Sequence, residues 1–387
     1  MKQPSILVLG TADWNQPIAT NQHYVVRELC RDGFADVSFV ESMALRAPRL
    51  NRRDLERIAT RLSNEKPSSS PTRQRPEDLK VISPLTLPWH RGAAKPINRS
   101  LLARITKSWQ GSASPRVLWT YTPVTYGLEK LADLTIYHCV DLLGEVPGID
   151  PRVIATNEKR LAAHGAHAVA TSRIVQAHLK DTGFDAVTLW ENVADTEIFA
   201  AARKKGEARK PGRAIFAGNL TPSKIDYELL LHLRAQGLDI ILAGPRAEGG
   251  DQDEDEFARL AAAGVHHVGM LSLEELATEL TRAAVGLIPY AMNDYTRGVS
   301  PLKTFEYAAA GLPIVSTSIP GVHAEEDEVW VEPDHASFAA TATGLAHNFS
   351  EERAQRLAKR AETHSWTRRG RTIREYLTNL LAVDGHA

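Results

Sequence analysis

The feature that most constrains the fold is an alternation of short apolar runs with helical segments, which recurs in both halves of the chain. The runs of the first half are residues 5–10, 37–41, 79–83, 117–121, 134–140, 168–171 and 187–189; those of the second half are 214–217, 240–243, 265–268, 285–289 and 314–316. Strands that alternate with helices are typical of parallel, doubly wound sheets. The sequence therefore predicts an α/β protein with two Rossmann-like units. Ligands of such sheets bind at the carboxyl ends of the strands, so two facing units predict a cleft between them.

The length of the chain and one polar stretch indicate where the two units separate. A chain of 387 residues is long enough for two domains of ordinary size, each with its own core. Residues 201–212 are mostly charged or small and follow neither a helical nor a strand pattern, which is typical of a linker. We therefore predict a first domain over residues 1–200, a second over 201–365, and a terminal helix over 366–387.

Composition excludes several classes of protein. The formal net charge is −1, so no overall field favours a nucleic-acid partner. Cys30 and Cys139 lie far apart and belong to no Cys/His cluster, so neither a disulfide nor a structural zinc is predicted. The first strand is not followed by G-x-G-x-x-G, which argues against a dinucleotide site. No apolar run approaches the roughly 20 residues that span a bilayer, and the chain opens on a core strand rather than a secretory leader. A cytoplasmic protein is expected.

Residues 285–321 are predicted to form a strand, a polar loop, a helix and a further strand. Ser300 is the predicted N-cap and Pro301 the first helical residue, because each is preferred at that position. Gly311 is the predicted stop.

The first turn of this helix carries two charged residues one turn apart. Lys303 near the helix start, together with the unpaired N–H groups there, suits a phosphate. Glu306 lies on the same face and suits ribose hydroxyls, as acidic side chains do in dinucleotide sites. The alternative is a surface ion pair at i, i+3, which is common and weak.

The same stretch resembles the donor-binding signature of bacterial glycosyltransferases of the GT-B fold, in the family 4-like or group 1 class. The motifs are Pro301-Leu302-Lys303, Phe305-Glu306-Tyr307, Ala309-Ala310-Gly311, Pro313 and Val315-Ser316-Thr317, with Phe216-Ala217-Gly218-Asn219-Leu220 and Lys224 further upstream. The similarity is good over residues 165–320 and looser before them. The candidate donor-binding residues are Asn219, Lys224, Met270, Tyr290, Ser300, Pro301, Leu302, Lys303 and Glu306. Met270 is included because it follows a strand end, where backbone groups can contact a base; the alternative for Met270 is a plain turn. The alternative for Lys224 is an exposed lysine at a helix start.

The resemblance implies a function and a role for each domain. Residues 1–200 bind the acceptor, residues 201–365 bind a nucleotide-diphosphate sugar, and residues 366–387 pack back on the first domain. The implied reaction transfers the sugar to a hydroxyl-bearing acceptor without a metal or other cofactor. A nucleotide-sugar epimerase or hydrolase of the same fold remains an alternative, as does a catalytically silent nucleotide-sugar-binding protein.

The sequence departs from the family pattern at two positions. The family often has an arginine two residues after the glycine that matches Gly218, and Leu220 stands there instead; Gly298 replaces the first carboxylate of the E-x7-E pair that ends at Glu306. The stereochemistry of transfer is therefore left open. Residues 251–256 contain D-x-D spacing, for which a divalent metal site is less favoured than a solvated loop and the acidic first turn of a helix.

Asp141 is the candidate base that activates the acceptor. It directly follows the apolar run 134–140, at a carboxyl end of the first sheet, where a carboxylate can take a hydroxyl proton. His138 and His23 are further candidates. A helix cap or turn is the alternative role for Asp141.

Residues 95–109 combine cations with an apolar side made of Leu101, Leu102, Ile105 and Trp109. A basic amphipathic helix with a tryptophan is typical of contact with a membrane surface or an anionic acceptor. A solvated surface helix has the same pattern. Peripheral contact with the inner face of the membrane therefore remains open.

Overall fold

The computed structural model describes residues 2–16, 19–43, 45, 75–87, 89–113, 115–146, 148–205, 208–246, 254–297, 299 and 301–383. The chain divides into two compact units, Met1–Trp190 with Gly370–Ala387 and Glu191–Arg369. The division falls ten residues before the predicted boundary at residue 200.

The predicted linker, residues 201–212, was wrong over its first four residues. Residues 201–204 complete the helix Thr196–Lys204, because Phe199 and Ala202 are buried in the core of the second unit.

The first unit is a parallel sheet of seven strands with helices around it. The strands are β1 (Ser5–Leu9), β2 (Asp36–Val40), β3 (Leu79–Ile82), β4 (Arg116–Thr120), β5 (Leu134–Cys139), β6 (His167–Ala170) and β7 (Val187–Leu189). The helices are α1 (Asn21–Cys30), α2 (Ala94–Ile105), α3 (Lys107–Gln110), α4 (Pro151–Ala163) and α5 (Arg173–Thr182). The strand order is β3-β2-β1-β4-β5-β6-β7. All the strands were predicted to within two residues at each end.

The central strands are apolar throughout because both faces of the sheet are covered. The four residues Ile6, Leu7, Val8 and Leu9 are fully buried, and every residue of β5 is buried. Continuous apolar runs of this kind are typical of parallel sheets. Cys30 and Cys139 are buried free thiols, in agreement with the absence of a predicted disulfide; burial raises the pKa of Cys30 to about 12.

A buried carboxylate links three elements of the first unit. Glu158 on α4 accepts a hydrogen bond from the hydroxyl of Tyr137 on β5 at 3.0 Å and contacts Nε2 of His178 on α5 at 3.0 Å. The hydrogen bond to Glu158 is the main cause of a raised pKa for His178. The carboxylate of Glu158 therefore has two hydrogen-bonding partners in the core, the Tyr137 hydroxyl and the His178 imidazole.

The raised pKa of His178 predicts a pH dependence of stability. Because the folded pKa exceeds the unfolded value of 6.5, the contribution of His178 is complete below that value and is lost as the pH rises through the folded pKa. We expect the free energy of unfolding of the wild type, relative to His178→Gln, to fall as the pH rises above 6.5 and through the raised pKa of the folded state. Urea unfolding at several pH values measures this. Parallel curves for the two proteins would contradict it.

The second unit is a parallel sheet of six strands in the order β10-β9-β8-β11-β12-β13. The strands are β8 (Arg213–Ala217), β9 (Asp239–Ala243), β10 (His266–His267), β11 (Val285–Ile288), β12 (Ile314–Thr317) and β13 (Val329–Glu332). The helices are α6 (Thr196–Lys204), α7 (Tyr227–Ala235), α8 (Glu254–Ala262), α9 (Leu273–Arg282), α10 (Asp294–Arg297), α11 (Lys303–Ala309), α12 (His335–His347) and α13 (Glu351–Ala361). The edge strand β13 was not predicted, because three of its four residues are only half-buried and acidic residues surround it. The two doubly wound units confirm the predicted fold class.

The terminal helix α14 (Trp366–Val383) begins in the second unit, and its residues from Gly370 onward belong to the first. Gly370 lies against the buried Glu28 of α1, where a Cβ atom would overlap the carboxylate. Glu28 is held there by Nη1 of Arg374 at 3.3 Å and Nη2 of Arg31 at 2.8 Å. A glycine and an arginine one turn later therefore join α14 to α1. Over the described part of the chain, no helix combines the length and the apolar character needed to cross a bilayer.

Candidate functional site

Three loops at the carboxyl edge of the second sheet are joined through their backbones. Gly218, directly after β8, donates to the carbonyl of Ala243 at 2.8 Å, and Gly244, directly after β9, donates to the carbonyl of Gly269 at 2.8 Å. Gly244 has a φ of 133°, and a Cβ atom there would overlap the carbonyl oxygen of Gly218. Only glycine permits this approach. The role of Gly244 was not predicted from the sequence, although its place directly after a strand, like that of Gly218, is a usable signal.

The loop after β8 is also fixed to the end of β11. Residues Ile225 and Tyr290 form an isolated bridge, and the carbonyl of Lys224 accepts from the N–H of Ala291 at 2.9 Å. The ammonium nitrogen of Lys224 lies 5.2 Å from the centre of the Tyr290 ring, within the range of a cation–π contact. The hydroxyl of Thr317, the last residue of β12, donates to the carbonyl of Tyr290 at 2.8 Å. Two predicted donor-site residues, Lys224 and Tyr290, are thus brought together.

The structure corrects the predicted start of the donor helix. Helix α11 begins at Lys303 with Leu302 in the cap position and no side-chain cap, so placing Pro301 inside the helix was wrong. Thr304 donates to the carbonyl of Pro301 and Phe305 to that of Leu302, which makes the first turn of the i to i+3 type. The predicted stop is confirmed, because Gly311 adopts a φ of 74° just after the C-cap. Ser300 and Gly298 lie outside the described residues.

Lys303 and Glu306 contact each other in the structure. The ammonium nitrogen of Lys303 lies 2.5 Å from Oε2 of Glu306. Glu306 is buried and Lys303 half-buried, so this is not a fully solvated surface pair. An ammonium group has three donors and a carboxylate four acceptor positions. Both groups therefore keep capacity for further partners.

The other predicted donor-site residues line separate loops of the same sheet edge. Asn219 follows Gly218 and is half-buried, and Met270 follows Gly269 with an exposed side chain. The carbonyl of Gly269 accepts from the N–H of Gly244 at 2.8 Å, which fixes the loop before Met270.

Acidic residues near the second sheet take the form expected of a helix start. Glu254, Asp255 and Glu256 make up the acidic first turn of α8, whereas the preceding Asp251 and Asp253 lie outside the described residues. Within the described ranges, no group of three His, Cys, Asp or Glu side chains is placed to hold a metal ion.

In the first unit, Asp141 lies two residues beyond the end of β5. It is half-buried, and its backbone carbonyl accepts from the thiol of Cys139 at 3.3 Å. Its backbone conformation is therefore held by the preceding strand. Asp141 stands at the carboxyl edge of the first sheet, as predicted from its position in the chain.

The two candidate histidines have packed environments. His138 is 1 % exposed and stacks on the Tyr121 ring with 4.9 Å between centroids. His23 is also buried, and its Nδ1 accepts from the backbone N–H of Thr20 at 3.0 Å, while Nε2 lies 3.1 Å from the carbonyl of Asp13. These contacts assign Nε2 as the protonated nitrogen. The contacts of His23 are those of a cap on α1, and those of His138 are those of a core residue.

Part of the chain matches a known family, and a larger part is similar in sequence to a known protein. Residues 212–348 match the family described as "Glycosyl transferases group 1". Over 279 residues the chain is 26 % identical to "Putative teichuronic acid biosynthesis glycosyltransferase TuaH" of Bacillus subtilis (strain 168), covering 67 % of this chain and 68 % of the relative.

Two solved structures share the fold over almost the whole chain. Anabaena HepE in complex with UDP and glucose has a TM-score of 0.66 at 14 % identity, covering 98 % of this chain and 99 % of HepE. An α,α-trehalose-phosphate synthase (UDP-forming) from Burkholderia vietnamiensis has a TM-score of 0.66 at 13 % identity, covering 100 % of both chains.

Two parallel α/β units, with polar residues at the carboxyl edge of the second, define a two-domain protein of the GT-B fold. The chain is a glycosyltransferase, and residues 212–348 of its second unit match the group 1 glycosyltransferase family.

Proposed function

We propose that the donor is a uridine-diphosphate sugar, bound at the carboxyl edge of the second sheet, and that the acceptor is a hydroxyl group of a glycan. The observation that carries the proposal is that the loops after β8 and β11 hold Lys224 against Tyr290, with the Lys303–Glu306 pair on the helix of the donor signature. The UDP named for HepE and for the trehalose-phosphate synthase supports the choice of base. The teichuronic acid named for TuaH supports a saccharide acceptor.

In this proposal the chain's own side chains stabilise the departing diphosphate. Lys224 and Lys303 supply positive charge, and preorganised charges of this kind stabilise an anion that develops during reaction. Glu306 accepts hydrogen bonds from the ribose. Asp141 takes the proton of the acceptor hydroxyl. Asn219, Tyr290 and the backbone around Met270 contact the nucleoside.

The first experiment is a thermal-shift titration with UDP, GDP, ADP and their glucose conjugates. A nucleotide at one hundred times its dissociation constant stabilises the folded protein by about 2.7 kcal/mol. UDP should produce the largest shift. Radiolabelled UDP-sugars, incubated with and without a saccharide acceptor, then distinguish the activities. Transfer only with acceptor supports the proposal; free or isomerised sugar without acceptor favours a hydrolase or epimerase, and a shift without turnover favours a silent binding protein.

We also propose that no metal takes part, and predict full transfer activity after treatment with EDTA. The physical reason is that two lysines can neutralise the diphosphate without a cation between them. Initial rates before and after chelation measure this. Loss of activity that Mg²⁺ or Mn²⁺ restores would contradict it and direct attention to residues 251–255.

Peripheral membrane contact is a further part of the proposal, with a corrected surface. Most of the predicted apolar side of residues 95–109 packs inward: Leu102 and Trp109 are buried, and the Trp109 indole donates to the carbonyl of Ser5 at 3.0 Å. The exposed apolar side chains are instead Trp89 at 54 % and Ile97 at 48 %. Lys95, Arg99 and Arg104 of α2 are exposed cations, and exposed cations together with exposed apolar side chains suit an anionic bilayer.

We predict that anionic vesicles sediment this protein better than neutral ones. Each basic residue near an anionic surface contributes about 1 kcal/mol, so Lys95→Gln with Arg104→Gln should lower partitioning by about tenfold or more. Met292→Ala, which removes an exposed apolar side chain of the second unit, is the matched control and should change nothing. Equal recovery with neutral and anionic vesicles would favour the solvated-helix alternative.

A further inference from the structure

A cavity of about 220 Å³ lies in the first unit between helix α2 and the turn Leu128–Leu131. Leu102 and Ala103 of α2 form one wall, and Tyr126 and Leu128 form the other. An enclosed apolar cavity of about 150 Å³ binds benzene, whereas this cavity is open to solvent on one side. The cavity therefore has the size and lining to accept part of a hydrocarbon chain.

The turn that forms one wall is anchored from inside the protein. Glu129 is buried, and its carboxylate contacts Nε of Arg160 at 3.1 Å and accepts from the Thr125 hydroxyl at 2.5 Å. The carbonyl of Glu129 lies 2.7 Å from Nε2 of His164. Two contacts of Glu129 thus tie the turn to Arg160 of α4 and to His164 directly after α4, so the cavity is preformed, as ligand sites usually are.

Tyr126 forms its part of the wall in an unusual backbone conformation. Its φ is 53°, a left-handed conformation that is unfavourable for a residue other than glycine. The hydroxyl accepts from the Asn98 amide at 3.0 Å and lies 2.6 Å from Nδ1 of His90. These bonds hold the ring against the cavity despite the backbone cost.

The rim of the cavity is cationic and apolar. Arg99 and Lys130 line it and are exposed, and over the described residues neither side chain has a hydrogen bond or an ion pair. Leu131 lies between the cavity and solvent, with 41 % of its surface exposed. Positive charge beside an apolar opening is complementary to a phosphate that carries a hydrocarbon chain.

We propose that this cavity binds an anionic phospholipid of the bilayer, with the phosphate between Arg99 and Lys130 and the start of one hydrocarbon chain between α2 and the turn. The site is separate from the proposed acceptor base: the turn leads into the amino end of β5, whereas Asp141 follows its carboxyl end. A lipid bound here orients the first unit at the membrane and is not consumed. This inference rests on the proposed membrane contact and is independent of the donor.

The test is isothermal titration calorimetry of the full chain with octyl phosphate below its micelle concentration. Two control compounds each carry one part of octyl phosphate: inorganic phosphate has the charge without the hydrocarbon chain, and octyl glucoside has the chain without the charge. We expect octyl phosphate to bind at least about tenfold more tightly than either, because only it satisfies both parts of the site. Hexyl phosphate, which lacks two CH₂ groups, should bind about fifteenfold more weakly than octyl phosphate, since each buried CH₂ changes affinity about fourfold.

Variants separate the cavity from general surface charge. Ala103→Leu fills the cavity without changing charge and should weaken octyl phosphate binding about tenfold; Arg99→Gln and Lys130→Gln should each weaken it about threefold to tenfold. Arg104→Gln, an exposed cation of the same helix outside the lining, is the matched control and should bind normally. If Ala103→Leu melts early, Ala103→Val replaces it. Unchanged affinity in the folded cavity-filling variant, or equal losses for Arg104→Gln and Arg99→Gln, would overturn the proposal.

The two membrane experiments fail independently. Arg104→Gln is expected to lower vesicle partitioning and to leave octyl phosphate binding intact. If the wild type binds vesicles but not octyl phosphate, the lipid site is rejected and the surface contact with the membrane is kept. Transfer from a soluble UDP-sugar to a soluble acceptor reports the proposed enzymatic function separately from both.

Discussion

Asp141→Asn is expected to lower the turnover of sugar transfer by about 10² to 10⁴, the usual contribution of a positioned general base, while UDP binding stays unchanged. The substitution keeps the shape of the side chain and removes its ability to take a proton. The backbone carbonyl that accepts from Cys139 is unaffected, so the loop should keep its conformation. Single-turnover transfer rates and calorimetric titration with UDP measure the two quantities.

The matched control stands at the other end of the same strand. Asp133 precedes β5 and pairs with Arg116, with 3.1 Å between Oδ1 and Nη2. Asp133→Asn should lose a little stability and no turnover, because this carboxylate lies at the amino end of the strand. Full transfer activity in the Asp141 variant would end its assignment as the base, and loss of folding would instead support a turn or cap role.

Lys303→Ala is expected to weaken donor binding by about ten- to a hundredfold, the range of one charge-assisted hydrogen bond, and to destabilise the second unit. The destabilisation follows because Glu306, 5 % exposed, loses the ammonium that lies 2.5 Å from its Oε2. Leaving a buried charge without its partner costs about 3–5 kcal/mol. Urea unfolding and titration with UDP measure the two effects.

A double variant separates binding from stability. Lys303→Met with Glu306→Gln removes both charges, so it should regain most of the stability while donor binding stays weak. Glu306→Gln alone should weaken the binding of uridine more than that of inorganic diphosphate. Unchanged donor affinity and turnover in the Lys303 variant would reject the proposed donor site.

Much of the fold follows from local pattern. The strands of the first unit were predicted because a strand covered on both faces, such as β1 or β5, is a continuous apolar run that is visible without knowledge of its neighbours. Gly311 was predicted correctly because a left-handed residue after a helix is a local requirement. Edge strand β13 was not predicted. Three of its four residues are only half-buried, so its sequence is not a continuous apolar run.

The motif residues were identified from the sequence, but their contacts were not. Lys303 and Glu306 are three residues apart, a spacing that predicts proximity on a helix, yet the burial of their pair depends on the strands and helices that cover α11. The joining of Gly244 to Gly218 was also invisible, because it depends on two strands that are neighbours in the sheet and distant in the chain.

The sequence by itself determined the class of fold, the two-unit organisation and the chemistry of the donor motif, because apolar runs, caps and charged spacing are local properties. Only the tertiary structure decided which side of an amphipathic segment is buried. Leu102 and Trp109 pack into the core, whereas Ile97 of the same segment is exposed. All three are apolar, and the sequence pattern alone does not tell which of them is covered. The difference arises because burial depends on what other segments cover a side chain, here the sheet beneath α2 and the turn at Leu128–Leu131.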